Sequence, residues 1–366
     1  IGGAILSQAD DSGNWRVDSV SVSNRLVCLE GDGGTARRSG RRVFALAGQA
    51  AVDFQELSRY LHEIEVSHLF LRGHRPRPFA FELPLESAPA SWAAQGRGQL
   101  ALWIEEAQAL GLGVGPGEAA LRWQEGEVRF GYAPPLQQGS FELDAYARLR
   151  DRPPAIRLPT GGVVLQDVPL TPELVNLLGW VNPLLAQGVV LSGAVSIHLG
   201  LAILPLDLDS IRTATDFDAV VALRDVVIAP GGVLAEMLGS TGAAGKTLEI
   251  EQGEIRVACR DGTLRIAPHK VSLRGHELLF EGSVGLDGGL EYWAILPLTS
   301  DLVGEDVLPY LPRRHVKIVV NGTVARPTFD RRQLAVEVRE IATGAARRAL
   351  SEKAAGWLQD FRSGRE

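Results

Sequence analysis

Val189-Val190-Leu191-Ser192-Gly193-Ala194-Val195-Ser196-Ile197-His198-Leu199-Gly200-Leu201-Ala202-Ile203-Leu204-Pro205 is the stretch on which the fold turns. Leu191, Val195, Ile197, Leu199, Leu201 and Ile203 fall on one side of a two-residue period. Ser192, Ala194, Ser196, His198, Gly200 and Ala202 fall on the other. Successive side chains of a strand point to opposite faces, so the run reads as one long β-strand with a bulky face and a small, polar face. The wider segment from Leu174 to Leu206 contains no Asp, Glu, Lys or Arg, which makes a transmembrane helix the first alternative to weigh. Pro183, Gln187, His198 and four glycines interrupt any such span, and the period of two is not helical.

Outward from this strand the signals alternate between short strands and isolated helices. Thr171-Pro172 is a cap followed by proline at the first helical position. Leu174, Leu177, Leu178 and Val181 then share a helical face until Pro183, which predicts an amphipathic helix over 172–182. Downstream, glycine-bearing turns separate strands predicted at about 216–228, 247–252, 254–260, 263–267, 270–274, 277–285, 289–298 and 315–325, interrupted by a short helix over 232–238. Upstream, residues 68–169 repeat short apolar segments cut every eight to twelve residues by Gly or Pro, the pattern of an antiparallel meander. Glu105 to Leu110 reads as a helical turn or two. Residues 1–52 alternate in runs such as Trp15 to Val22, and Asp53 with Glu56, Leu57, Leu61 and Ile64 predicts a capped helix over 53–65. From Arg331 to Phe361 an apolar stripe of Leu334, Val338, Ile341, Ala345, Leu350, Ala354, Trp357 and Phe361 predicts a terminal amphipathic helix. The fold class is therefore mainly β with peripheral helices, organised as 1–170, 171–330 and 331–366.

Composition bounds the function. The 366 residues are 45% hydrophobic and 22% charged, the balance of a globular protein with material for a core. The only methionine is Met237 and the chain opens Ile1-Gly2-Gly3, so residue 1 is not expected to be a translation start. A net charge of −7, with no basic stripe interleaved with aromatics, gives nucleic acid no electrostatic footing. Cys28 and Cys259 belong to no metal-binding or redox motif and permit one disulfide or two free buried thiols.

No motif points to catalysis. Gly239-Ser240-Thr241-Gly242-Ala243-Ala244-Gly245-Lys246-Thr247 resembles a P-loop, but Ser240 stands where its first glycine is needed, and the flanking order is helix then strand rather than the reverse. It is read as a turn, with no nucleotide. Glu281-Gly282-Ser283-Val284-Gly285 lacks the first glycine of a serine elbow. His62, His68 and His74 fit no ligand spacing, so no metal or other cofactor is expected and an enzyme is not the favoured reading.

One stretch carries a resemblance. Gly285-Leu286-Asp287-Gly288-Gly289-Leu290-Glu291-Tyr292-Trp293-Ala294-Ile295-Leu296-Pro297-Leu298 joins two strands through a tight Asp-Gly-Gly turn. Thr299 to Gly304 follow, then Val316 to Pro327 with Gly322-Thr323-Val324-Ala325-Arg326-Pro327, and the terminal helix. Together, over about 165–362, these features resemble the C-terminal region of the AsmA-like superfamily of bacterial envelope proteins, the YdbH and TamB type. The resemblance implies an elongated antiparallel sheet curled into a half-open, taco-shaped groove. It also implies a periplasmic location within a longer protein anchored in the inner membrane. The implied function is non-catalytic transport of phospholipid, or another acyl-chain lipid, between inner and outer membranes.

On that reading the groove is lined by Leu191, Val195, Ile197, Leu199 and Leu201, joined by Ile255 and Val257, Leu264 and Ile266, Leu278 and Phe280, and Val316 and Ile318. The alternative is an envelope scaffold in which the same residues pack into a closed core without a ligand. The helices over 172–182 and 331–361 are read as plugs that protect sheet edges. The competing roles are docking to a membrane surface or, for the terminal helix, to an envelope protein.

Overall fold

A computed structural model describes residues 2–9, 14–38, 40–63, 69–86, 91–109, 112–152, 154–159, 162–205, 210, 213–240, 247–273, 276–300, 305–312 and 314–363. The chain is mainly β, and most of its strands belong to one large antiparallel sheet that is not closed into a barrel. Strands β1 (Gly2–Ala9), β2 (Trp15–Ser23), β3 (Val27–Arg38) and β4 (Arg41–Val52) lead into helix α1 (Phe54–Glu63). β5 (Leu69–Arg72) and β6 (Arg77–Pro84) precede a single helical turn, α2 (Trp92–Gln95). The meander continues through β7 (Arg97–Ile104), β8 (Glu106–Ala109), β9 (Leu112–Val114), β10 (Gly117–Gln124), β11 (Glu127–Tyr132), β12 (Ser140–Phe141), β13 (Leu143–Arg148), β14 (Ala155–Leu158) and β15 (Gly162–Pro169). Glu105 to Leu110, expected as a helical turn, instead supplies β8, which pairs with β5 and β9 in a separate three-stranded sheet. Six residues are too few for periodicity to separate the two states.

Helix α3 (Pro172–Leu178) is followed by a 3-10 turn (Leu185–Gln187), and β16 then runs the full length of Val189–Pro205. The uncharged segment is thus a helix, a turn and a strand, and no described helix is long and apolar enough to cross a membrane. β17 (Asp216–Ala229), α4 (Gly232–Ser240), β18 (Leu248–Arg260), β19 (Thr263–Leu273), β20 (His276–Gly285), β21 (Leu290–Pro297), β22 (His315–Thr323) and β23 (Arg326–Phe329) complete the strands, and α5 (Arg331–Ser363) ends the chain. Residues expected as two strands each at 247–260 and 263–274 are single strands. Those of β19 are joined across a register shift between Ile266 and His269.

Local chemistry explains the boundaries. Asp53 Oδ1 accepts from the backbone N–H groups of Gln55 and Glu56, both at 3.0 Å, and Thr171 Oγ1 accepts from Leu174 N–H at 3.3 Å. Ile64 and residue 65, expected to extend α1, lie outside the described residues. At the hairpin between β10 and β11, Glu125 and Gly126 both have positive φ, as do Asp261 and Gly262 between β18 and β19. That is the requirement of a two-residue turn matched to strand twist. Of the P-loop-like segment, residues 241–246 lie outside the described residues, while its flanks are α4 before and β18 after.

Contacts divide the chain into two compact units. The first holds Ile1–Val168, Ser196–Val220 and Cys259–Asp261; the second holds Pro169–Val195, Val221–Ala258 and Gly262–Glu366. In the second unit the strands bury one face under helices. Leu278, Phe280, Tyr292, Leu296, Val316 and Val320 are wholly inaccessible on that face, while Glu291, Lys317 and Val319 alternate with them on the solvated side. The cover comes from Leu174 and Val175 of α3, Leu184 and Leu185, Leu234, Met237 and Leu238 of α4, and Leu334, Val338, Ile341, Ala345 and Ala349 of α5. Val175, Leu178 and Leu185 stand over Leu223, Val226, Ile228 and Ile255 around a small apolar cavity. A polar clamp adds direction. Asn182 Nδ2 donates to His269 Nε2 at 2.8 Å, His269 Nδ1 donates to the Ala267 carbonyl at 3.1 Å, and Asn182 Oδ1 accepts from the backbone of Leu184 and Leu185.

Tyr292 is a local cost in this core. Its buried hydroxyl has no hydrogen-bond partner among the described residues. Tyr292→Phe removes the stranded group while keeping the ring, and is expected to raise stability by about 1 kcal/mol. Urea denaturation of the two proteins checks this, and a loss of stability would mean that the hydroxyl is satisfied in solution.

Candidate functional site

The first unit has a different cross-section. Register fixes a row of facing residues through ten strands: Val17, Gly33, Leu46, Phe81, Gly98, Trp123, Val128, Ala147, Ile156 and Leu204. Two residues along each strand, or three across the register shift between Val17 and Val20, and so on the same face, runs a second row of Val20, Gly31, Gly48, Phe79, Leu100, Leu121, Phe130 and Ala145. It ends in the cluster where Ala145, Leu158 and Ala202 pack with Leu199 and Leu204. Neither row contains a charged or hydrogen-bonding side chain apart from the Trp123 indole.

The row between them lies on the opposite face and reads Asp32, Ala47, Ala80, Gln99, Arg122, Arg129, Tyr146, Arg157 and Ile203. Ion pairs lace this side. Arg97 Nε donates to Glu82 at 2.8 Å, Arg129 Nε to Glu127 at 2.7 Å, and Arg157 to Asp151 at 3.0 Å, while Arg129 and Arg148 stand over the Tyr146 ring at 6.0 and 5.8 Å. The sheet is therefore amphipathic, with a salt-bridged water face and an apolar face.

One end of the apolar face is closed. Phe54 and Leu57 of α1, with Ile104, Ala107 and Val114 from beside and within the small sheet, pack over Leu102, Ala119 and Tyr132, the next positions along β7, β10 and β11. Beyond that cover the two rows stay partly open. Leu46, Phe79 and Ala145 are buried by their neighbours, but Val20, Phe81, Leu100, Leu121, Trp123, Val128, Ile156 and Leu204 are only half-buried. The Phe79 ring lies over the gap left by Gly31, and a Cβ at Gly48 would collide with the carbonyl oxygen of Glu30. The paired glycines thus let the ring sink into the sheet. A sheet face of this size is normally packed, so apolar surface left partly in water makes this face the candidate binding surface.

No family model, curated protein or solved structure matches the chain.

The thirteen residues picked from sequence divide between three environments. Val195, Ile255, Val257, Leu264, Ile266, Leu278, Phe280, Val316 and Ile318 are all buried in the second unit, each 5% exposed or less. Leu191 is 60% exposed although it shares the expected face with Val195, which is 1% exposed. Gly193 lies between them with a φ of +134°, which breaks the alternation. Ile197 and Leu199 are half-buried and Leu201 is exposed; of the three, Leu199 joins the apolar face of the first unit.

The residues of the two rows were not among the picks, because Gly31, Gly48, Gly98 and Ala147 dilute the bulk of the face. The signal that finds them is the pairing of Phe79-Ala80-Phe81 with Leu100 and of Leu121-Arg122-Trp123 with Val128-Arg129-Phe130, alternations on paired strands of one sheet. Among the described residues no group of three or more His, Cys, Asp or Glu is placed to hold a metal ion, and Cys28 and Cys259 are both free thiols.

Proposed function

We propose that the first unit shields lipid acyl chains along its half-covered apolar face while headgroups stay in water. In this reading the chain is a non-catalytic lipid-transport module of the AsmA-like kind, working in the periplasm as part of a longer envelope protein. The observation that carries it is the pair of uncharged cross-strand rows, backed by an ion-paired face and left partly open. Transfer needs no bond chemistry. Each methylene moved from water onto the face gains about 0.8 kcal/mol, so eight gain about 6 kcal/mol. At about 4.8 Å per strand, the nine steps of the first row extend over about 43 Å.

The buried strand face of the second unit favours a scaffold role for that half, as a closed body without a ligand.

Native mass spectrometry of the purified protein, followed by lipid extraction, tests the proposal. Phospholipid is expected to co-purify, and Phe81→Glu with Leu100→Glu is expected to reduce its occupancy at least fivefold while the circular dichroism spectrum is retained. Wild-type protein that carries no lipid and takes up no fluorescent phospholipid would leave the scaffold as the account of the whole chain.

A further inference from the structure

The two strand ends of the first unit's apolar face differ. Phe54 and Leu57 cover one end, and at the other stands the β3–β4 hairpin, which carries Arg37, Arg38, Arg41 and Arg42 within six residues. Its register is unbroken: Gly33 faces Leu46, Thr35 faces Phe44, Arg37 faces Arg42 and Arg38 faces Arg41. Arg37 and Arg42 therefore continue the apolar side beyond Phe44, while Arg38 and Arg41 continue the ion-paired side. On the ion-paired side Glu82 lies 3.6 Å from Arg38 and accepts from Arg97 Nε at 2.8 Å. Arg37 is exposed and has no carboxylate partner among the described residues, although it stands directly opposite a second guanidinium. Like charges opposed in a ladder repel, and an anion between them turns the repulsion into attraction. Apolar side chains flank the pair. Trp15, whose N–H donates to Thr35 Oγ1 at 2.8 Å, is 53% exposed, and Leu85, whose N–H donates to the Arg42 carbonyl at 3.0 Å, is 40% exposed.

We propose that Arg37 and Arg42 are the headgroup contact of this face, a guanidinium pair that takes the phosphate of a glycerophospholipid whose chains lie over Phe44 and Leu46. Their role rests on lipid shielding by the first unit and gives its rim a chemistry. Directly opposed residues have Cα atoms about 5 Å apart, so both guanidiniums can reach one anion. A carboxylate is flat, and one guanidinium fork satisfies its two oxygens. A phosphate is tetrahedral, and its oxygens can be reached from two sides at once, which suits a facing pair of forks. The stems of both arginines run along the edge of the apolar surface while their heads stay in water. Trp15 completes the rim, since its ring has an apolar body and a polar N–H suited to the boundary between acyl chain and headgroup.

Uptake by the full chain is compared for phosphatidylglycerol, diacylglycerol and diacylglycerol hemisuccinate, all carrying the same pyrene-labelled acyl chain. Phosphatidylglycerol is expected to bind at least tenfold more tightly than the other two. Arg37→Gln with Arg42→Gln should bring it down to the level of diacylglycerol, with diacylglycerol uptake and the thermal midpoint unchanged. Arg38→Gln with Arg41→Gln makes the same change in charge on the opposite side and should leave the preference intact. Inorganic phosphate, titrated by calorimetry, should show no saturable binding. The pair is overturned as a headgroup contact by hemisuccinate binding as tightly as phosphatidylglycerol, by a preference that survives in the Arg37 and Arg42 variant, or by an equal loss in the Arg38 and Arg41 variant. Saturable binding of inorganic phosphate that the Arg37 and Arg42 variant loses would assign the pair to free phosphate instead. Equal uptake of all three lipids leaves lipid shielding standing and removes only the phosphate contact, whereas uptake of none removes both.

Discussion

Phe280→Ala is expected to lower folding stability by about 3–5 kcal/mol. Phe280 is wholly inaccessible at the middle of β20, paired in register with His269 on one side and Ala294 on the other, its ring centroid 5.8 Å from that of His269. Removing the ring loses its transfer free energy and leaves a void, because the neighbouring strands are held by ladder hydrogen bonds and cannot close on it. Phe81→Ala, the same change at a half-buried ring on the open face of the first unit, should cost well under half as much. Urea denaturation of both variants gives the comparison. Equal losses would mean that the two faces are covered to the same degree, which would remove the distinction between a closed body and a lipid-shielding one.

Acid is expected to weaken the second unit through His269. Burial holds its imidazole neutral and pushes its pKa down to about 4, against a hydrogen bond to the Ala267 carbonyl that pulls the other way. The neutral ring donates from Nδ1 and accepts at Nε2 from Asn182, so a proton on Nε2 would place two donors face to face. An unfolded histidine titrates near 6.5. Between those values the unfolded chain binds a proton that the folded chain refuses, so stability is complete above about pH 6.5 and falls as pH drops towards 4. The loss is about 3 kcal/mol over that window. His269→Gln keeps an acceptor for Asn182 without a titrating group. Stability of wild type and variant measured between pH 7.5 and 4.5 should diverge in slope, and parallel slopes would remove His269 as the cause.

Legibility in the sequence tracked how local each determinant is. Thr171-Pro172 opens a helix where expected because cap and proline act within one turn, and the length of β16 follows from an alternation sustained over many residues. The placement of Leu278, Phe280, Val316 and Ile318 on one face was equally readable, since period two decides it. What stands over that face was not, because α3, α4 and α5 reach it from distant parts of the chain. The resulting burial turned residues expected to line a groove into core. In the first unit the converse held. Trp123, Phe81 and Leu100 become one surface only through the pairing of three strands, and the glycines between them look like interruptions until register puts Gly31 opposite Gly48. The terminal helix was visible as a helix, but Leu350, expected on its apolar stripe, is exposed, while Leu334, Val338, Ile341, Ala345 and Ala349 are buried.

The meander β6–β7–β10–β11–β13 pairs each strand with the next principal strand along the chain, so its apolar rows are assembled from consecutive pieces of sequence. A duplicated or deleted hairpin of matching alternation would lengthen or shorten the strip by about 10 Å while leaving every remaining register intact. Reach in such a protein can thus change in the course of evolution in steps of one hairpin, and related chains are expected to differ in length by multiples of that unit.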